Sequence, residues 1–347
     1  MTTLARQHDC LLLDLDGTVF RGQLPTEGAV EALARTHSRT LFVTNNASRS
    51  AADVAAHLCQ LGFDSAANDV VTSAQAAAHM LAQLLRPGSA VLVVGTNALA
   101  AEICAVGLHP VRHSGDLPVA VVQGHSRRTG WPELAEATMA INSGALWIAT
   151  NTDRTLPTEQ GLVPGNGSMV AALQAATGRT PRVAGKPSIT LLDSALQRGR
   201  FTTPLVVGDR LDTDVAGANA AGLPSLLVLS GVGTAADVVY APPDQRPTHL
   251  GHDLRALHTD AEECLVAPHP AWRVTVEGHK VVVESTGADR GCDDLSIVRA
   301  TAASVWAHPE DHPTIDAGDA AAGEALQRWG LLRLNRSAEA VRPAHVR

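Results

Sequence analysis

Residues 10–20 read CLLLDLDGTVF: an apolar run, then Asp14 and Asp16 two positions apart, then Gly17 and Thr18. A run this short is spaced as a buried strand rather than a helix. The two carboxylates then fall at the carboxyl end of that strand, where open α/β sheets place their ligands. Side chains two apart on a regular strand share a face, and the turn at Gly17 is expected to re-aim Asp16. Neighbouring carboxylates repel unless a cation or a shared proton compensates. A D-x-D pair alone is more often an ordinary turn, so the rest of the chain has to choose.

A chain of 347 residues is long enough for two or three domains with cores of their own. Its 45% hydrophobic and 18% charged content is that of an ordinary globular protein. A net charge of −8 argues against a nucleic-acid or anionic-membrane surface. No apolar run approaches the ~20 residues of a membrane span, so no membrane insertion is expected. The stretch MTTLARQHDC lacks the basic start and apolar core of a secretory signal. Cys10, Cys59, Cys104, Cys264 and Cys292 are an odd set with no C-x-x-C spacing. Structural disulfides and zinc sites are therefore not expected, and a cytoplasmic location fits.

Further along, Pro25 to Ala34 should begin a helix, and Arg39 to Asn46 reads as a second strand. Ser50 to Leu61 has helical spacing, with Ser48 or Ser50 as cap and Gly62 as stop. Val91–Gly95, Val119–Gly124 and Leu146–Thr150 continue an alternation of short apolar runs with Ala- and Leu-rich helices, which implies βαβ units and a parallel sheet. Val183 to Pro187 precedes a helix capped by Ser188 and running through Leu196. Leu205 to Arg210 is another buried strand, followed by a helix containing Asp214 to Ala221 and a strand from Ser225 to Ser230. Composition shifts near residue 264, well after the irregular Tyr240–Pro247. Trp272–Glu277 and Lys280–Glu284 then pattern as a hairpin, with helices expected over Leu295–Ala307 and Ala321–Leu334.

Four polar clusters thus stand at predicted strand ends: Asp14 with Asp16; Thr44, Asn45 and Asn46; Lys186; and Asp209 with Asp214. Three carboxylates can hold one hard cation, which Mg²⁺ accepts with few protein ligands and several waters. A lysine and a hydroxyl-plus-amide cluster suit phosphoryl oxygens whose charge builds in a transition state. Each cluster alone is explained as a cap, a turn or a solvated loop. Their complementarity makes joint coincidence the weaker explanation.

With DLDGTVF at 14–20, VTNNASRS at 43–50, AGKPS at 184–188 and VGDRLDTDVAGANAAG at 207–222, in that order, the chain resembles the haloacid dehalogenase-like hydrolase superfamily. The long interval between the second and third motifs, with ATNTD at 149–153 and VPGNGSMVAAL at 163–173, resembles its NagD-type branch. At finer grain it resembles a subgroup with an added C-terminal region related to the GCN5-type acetyltransferase fold. The resemblance implies a Rossmann-like parallel-sheet α/β core over 1–75 and 182–262. It also implies an inserted α/β cap of the C2 type over 76–181 and a small α+β domain over 265–347.

Carried over residue by residue, Asp14 is the expected nucleophile and Asp16 the acid and base. Mg²⁺ is expected on the Asp14 carboxylate, the Asp16 main-chain carbonyl and the Asp209 carboxylate. Thr44, the Asn45 amide, Asn46 and Lys186 would face the phosphoryl group, Asp214 would sit behind the metal or orient Lys186, and Asn151 and Asp153 would contribute from the cap. The second aspartate points to phosphoryl transfer, because a dehalogenase usually lacks it. The implied activity is hydrolysis of a small phosphomonoester, with glycerol 3-phosphate the first choice. Phosphoglycolate, a sugar phosphate, a nucleotide or pyridoxal phosphate are the alternatives. A rival of another class is a regulatory, metabolite-binding module acting through the C-terminal domain.

Arg127 and Arg128 could attract an anion but read more simply as surface, and Gly165 and Gly167 as a tight turn before a helix from Met169. His308 and His312 are spaced i, i+4, but Pro309 and Pro313 argue against a helix there, and both read as solvated. Trp272, Trp306 and Trp329 are expected to pack in the C-terminal unit. That unit shows no clear Arg/Gln-x-x-Gly-x-Gly/Ala loop for a coenzyme A pyrophosphate, which argues against acetyl transfer. Homodimer formation, ligand sensing or stabilisation remain for it.

Overall fold

The opening run forms the strand Cys10–Leu13, whose four residues are all buried. It needs no polar alternation because it lies mid-sheet with both faces covered. A computed structural model describes residues 2–158, 161–291, 293–308 and 313–332. In it, Cys10–Leu13 pairs with Pro204–Gly208 on one side and Arg39–Thr44 on the other, both parallel. Val70–Thr72 extends the sheet beyond Arg39–Thr44, and Ser225–Val228 and His249–Gly251 extend the other side, giving six parallel strands. Because all six run one way, their carboxyl ends share one edge, and Asp14, Asn45 and Asp209 follow three adjacent strands there.

A second parallel sheet has five strands in the order Arg182–Val183, Leu146–Ala149, Ala120–Gln123, Ala90–Val94 and His109–Val111. Lys186 therefore follows a strand of only two residues that belongs to this second sheet, on the loop leading into the helix Ile189–Leu196.

Several local expectations shift. Pro25 pairs within the two-residue strands Phe20–Arg21 and Leu24–Pro25, so the following helix is confined to Ala29–Ala34. Ser50 caps Ala51–Gln60 in a reciprocal box with Asp53, which excludes Ser48. The helix expected to start at Met169 starts at Asn166, with Gly165 and Gly167 pressed against the main chain of Asp153 and Thr152. Asp214 lies not in a regular helix but in the wide turn Leu211–Val215, closed by Val215 N–H on the Arg210 carbonyl at 3.2 Å, before the helix Ala216–Ala220. Such turns insert one extra residue and concentrate at functional sites.

The chain divides into two compact units, residues 1–233 with 242–265, and residues 234–241 with 266–347. In the second unit, Trp272–Glu277 and Lys280–Ser285 are antiparallel, and Thr314–Ala317 adds in parallel. The helices Ser296–Trp306 and Ala320–Arg328 accompany this sheet. Trp272 is buried with its indole N–H on the Ser296 hydroxyl (3.1 Å), and those of Trp306 and Trp329 reach the carbonyls of Val238 and Asp294. His308 bonds the Ser304 carbonyl, whereas His312, Cys292 and residues 333–334 lie outside the described residues.

Leu12 is fully buried at the centre of the first sheet. Leu12→Ala is expected to lower stability by about 2–5 kcal/mol, read as a reduced urea midpoint.

Candidate active site

Lys186 sits at the centre of the shared sheet edge and is 3% exposed. Its ammonium has three protons to place. Nζ lies 2.5 Å from Asp14 Oδ1, 2.7 Å from Asp214 Oδ1 and 3.0 Å from the Val43 carbonyl. Burial works against the charge, but Asp14 and Asp214 outweigh it and hold the lysine protonated well above its usual range. Two strand ends and the wide turn at 211–215 thus converge on one cation.

The carboxylates around it are crowded. Asp14, Asp209 and Asp214 each bring an oxygen within 4.8 Å of the other two. Burial, then the neighbouring carboxylates Asp214 and Asp209, push Asp14 well above the ordinary range against the pull of Lys186. Burial followed by Asp214 raises Asp209 to about 6, although the Val232 N–H on its Oδ2 at 2.7 Å favours the charged form. A set of hard oxygens whose mutual repulsion raises their proton affinity fits a divalent cation such as Mg²⁺. The Asp16 carboxylate is not in this cluster. It reaches solvent, yet the protein crowding it raises its pKa, with Arg49, His57 and Lys186 pulling the other way.

Gly17 makes the close approach of Asp209 possible. It has φ +90°, and a Cβ there would collide with the Asp209 carboxylate. The Gly17 carbonyl accepts from the Ser230 hydroxyl at 2.8 Å. The segment Ser230–Val232 was not anticipated as part of the site, although S-G-x-G after a buried strand is the same kind of signal that marked the other strand ends.

Thr44 is buried, and its Oγ1 accepts from the Asn46 N–H at 3.0 Å. Asn46 is exposed and turns its Oδ1 to the Ser48 N–H and hydroxyl. Asn45 binds the Lys186 main chain. Asn151 donates to the Asn45 carbonyl at 2.6 Å, and Asp153 accepts from Asn45 Nδ2 at 3.3 Å. Burial raises the Asp153 carboxyl, against the pull of Arg210, whose guanidinium is 3.9 Å away and is also gripped by Asp212. Arg127 and Arg128 are exposed. The structure therefore gathers Asp14, Asn45, Asn151, Asp153, Lys186, Asp209 and Asp214 into one connected constellation, with Asp16 opening to solvent beside it.

This fold, with acids gathered at the carboxyl edge of a parallel sheet, is that of a hydrolase, and the chain belongs to the haloacid dehalogenase-like hydrolase family. Residues 11–109 match the family described as haloacid dehalogenase-like hydrolase, and residues 183–257 match a HAD-hydrolase-like family. Residues 269–331 match a GCN5-related N-acetyltransferase like domain. Among named relatives, the chain is 60% identical over 342 residues to the D-glycerol 3-phosphate phosphatase of Mycobacterium tuberculosis, covering 96% of this chain and 97% of that protein. It is 32% identical over 263 residues to the acid sugar phosphatase of Staphylococcus aureus, covering 74% and 100%. The crystal structure of glycerol phosphate phosphatase from Mycobacterium tuberculosis in complex with magnesium is similar at a TM-score of 0.93 and 61% identity, covering 96% of this chain and 100% of that one.

The raised Asp209 carboxyl gives a signed expectation. The folded, metal-free protein holds this proton more tightly than the unfolded chain, so the associated stability is present below pH ~4 and lost as pH rises through about 6. Asp209→Asn is expected to gain about 2–3 kcal/mol relative to wild type between pH 4 and 7 in chelator, read from paired denaturation curves.

Proposed function

We propose that this chain is a Mg²⁺-dependent phosphatase that hydrolyses glycerol 3-phosphate to glycerol and phosphate through an aspartyl-phosphate on Asp14. The observation that carries the reading is the buried Lys186 ammonium bridging Asp14 and Asp214 beside Asp209. It pins the nucleophile of this reading next to a set of oxygens suited to a cation. The named relative at 60% identity supports the choice of ester.

Asp14 and Asp209, with the Asp16 main-chain carbonyl, would hold the cation, which when bound shields the approach of one anion to another. An Asp14 carboxylate oxygen attacks phosphorus as the ester oxygen leaves. Asp16, whose raised carboxyl carries a proton more readily than a free aspartate, donates that proton to the departing alkoxide. It then takes one from the water that attacks the aspartyl-phosphate, releasing phosphate and restoring Asp14. Lys186, Thr44 and the Asn45 main-chain N–H face the phosphoryl oxygens. We assign residues 1–75 and 182–262 to the catalytic core, 76–181 to the cap that selects the ester, and 265–347 to a C-terminal domain outside the chemistry, in a cytoplasmic enzyme.

Asp14→Asn is expected to lower kcat at least about 1,000-fold with unchanged circular dichroism, and retained turnover would refute the nucleophile. A panel of phosphoesters should give the highest kcat/KM for glycerol 3-phosphate, with activity lost in chelator and restored by Mg²⁺. Faster turnover of phosphoglycolate or a sugar phosphate would overturn the choice of substrate and leave the chemistry standing.

A further inference from the structure

We infer that the Asn45 side chain is a positioning residue that clasps the Lys186 main chain and ties it to the cap loop, rather than a ligand of the phosphoryl group. Its Oδ1 accepts the Lys186 N–H at 2.8 Å, and its Nδ2 donates to the Lys186 carbonyl at 3.1 Å. The primary amide thus pairs with both polar atoms of one residue's main chain, which fixes its orientation about the side-chain axis. The remaining Nδ2 proton faces the Asp153 carboxylate, at 3.3 and 3.4 Å from its two oxygens. Both donors are directed within the protein, so a contact to a phosphoryl oxygen would have to break the clasp on Lys186 or the link to Asp153.

The surroundings are built to this arrangement. A Cβ on Gly185 would come within 2.5 Å of Asn45 Oδ1 and of the Thr150 carbonyl, so the amide lies this close only over a glycine. The Asn45 carbonyl accepts from the Ser73 hydroxyl and from Asn151 Nδ2, each at 2.6 Å. Asn151 and Asp153 follow the strand Leu146–Ala149 of the second sheet, and Lys186 lies on the return from that sheet. One residue therefore joins the loop of the second sheet to the segment that carries the lysine. Displacing a reacting group by about 1 Å costs on the order of a hundredfold in rate, so the clasp converts the seating of that loop into the placement of Nζ.

The activity arm of the test rests on the phosphatase reading, and the exchange arm does not. Hydrogen exchange is followed by mass spectrometry on the metal-free, full-length protein, on peptides spanning 184–190. The Lys186 N–H is held by Asn45 Oδ1. Asn45→Ala should speed its exchange at least about tenfold while peptides over Cys10–Leu13 keep their protection. Asn45→Asp keeps an acceptor for that N–H but turns its second oxygen on the Lys186 carbonyl and the Asp153 carboxylate, and should give protection between those of wild type and Asn45→Ala. Where Asn45→Ala does not fold, Asn45→Ser, whose hydroxyl is too short to reach Lys186, replaces it. With glycerol 3-phosphate, Asn45→Ala should cut kcat about 10- to 100-fold and leave KM and inhibition by inorganic phosphate within about threefold. Unchanged exchange at Lys186 would overturn the clasp, and a rise in KM and in the phosphate inhibition constant at constant kcat would show a direct phosphoryl ligand; either overturns the inference.

Discussion

An ammonium withdrawn from water must find acceptors for its protons, and most of the first unit is arranged so that Lys186 does. Taking an ion of this size out of water costs several kcal/mol even after relaxation, and only close, well-directed partners offset it. Asp14 supplies one partner from the end of Cys10–Leu13, Val43 a second from Arg39–Thr44, and Asp214 a third from the wide turn after Pro204–Gly208. The parallel order of these three adjacent strands brings their ends to one point. The extra residue in the turn at 211–215 carries Asp214 inward, where a regular helix would have continued past it.

The charge balance around this lysine sets the terms for any ligand. Asp14, Asp209 and Asp214, when ionised, outnumber the single ammonium among them, so without a cation the site repels an incoming phosphate. Burial and mutual repulsion favour protons on Asp14 and Asp209, which is the same preference a hard cation satisfies. Affinity for the cation and tolerance of an anionic substrate are thus two consequences of one crowding.

The strands and the acids at their ends were legible because both are local properties. A run of buried aliphatics announces Cys10–Leu13 or Pro204–Gly208, and a Ser three residues before an Asp announces the cap of Ala51–Gln60. What was not legible is how distant residues use one another. Asn45 and Lys186 are 141 positions apart, and no periodicity records that the amide of one grips the main chain of the other. Asn151 and Asp153 carry a recognisable pattern, yet the pattern alone says nothing of their turning toward Asn45. The carbonyl of Val43 has no side-chain signature at all. The start of the helix expected from Pro25 differs for a related reason: Leu24–Pro25 is held by pairing across a tight turn with Phe20–Arg21, which overrides the helical spacing around Pro25.

The insertion of the second sheet between Thr72 and Lys186 has a consequence for how such a chain can diversify. Asp14, Asp16, Thr44, Asp209 and Asp214 all lie outside it, so most of its surface is remote from the charges gathered around Lys186. Asn151 and Asp153 are the exception, since they grip Asn45 beside the lysine. A substitution over much of the second sheet therefore leaves these contacts untouched, whereas one at the loop of Asn151 and Asp153 reaches the lysine through Asn45.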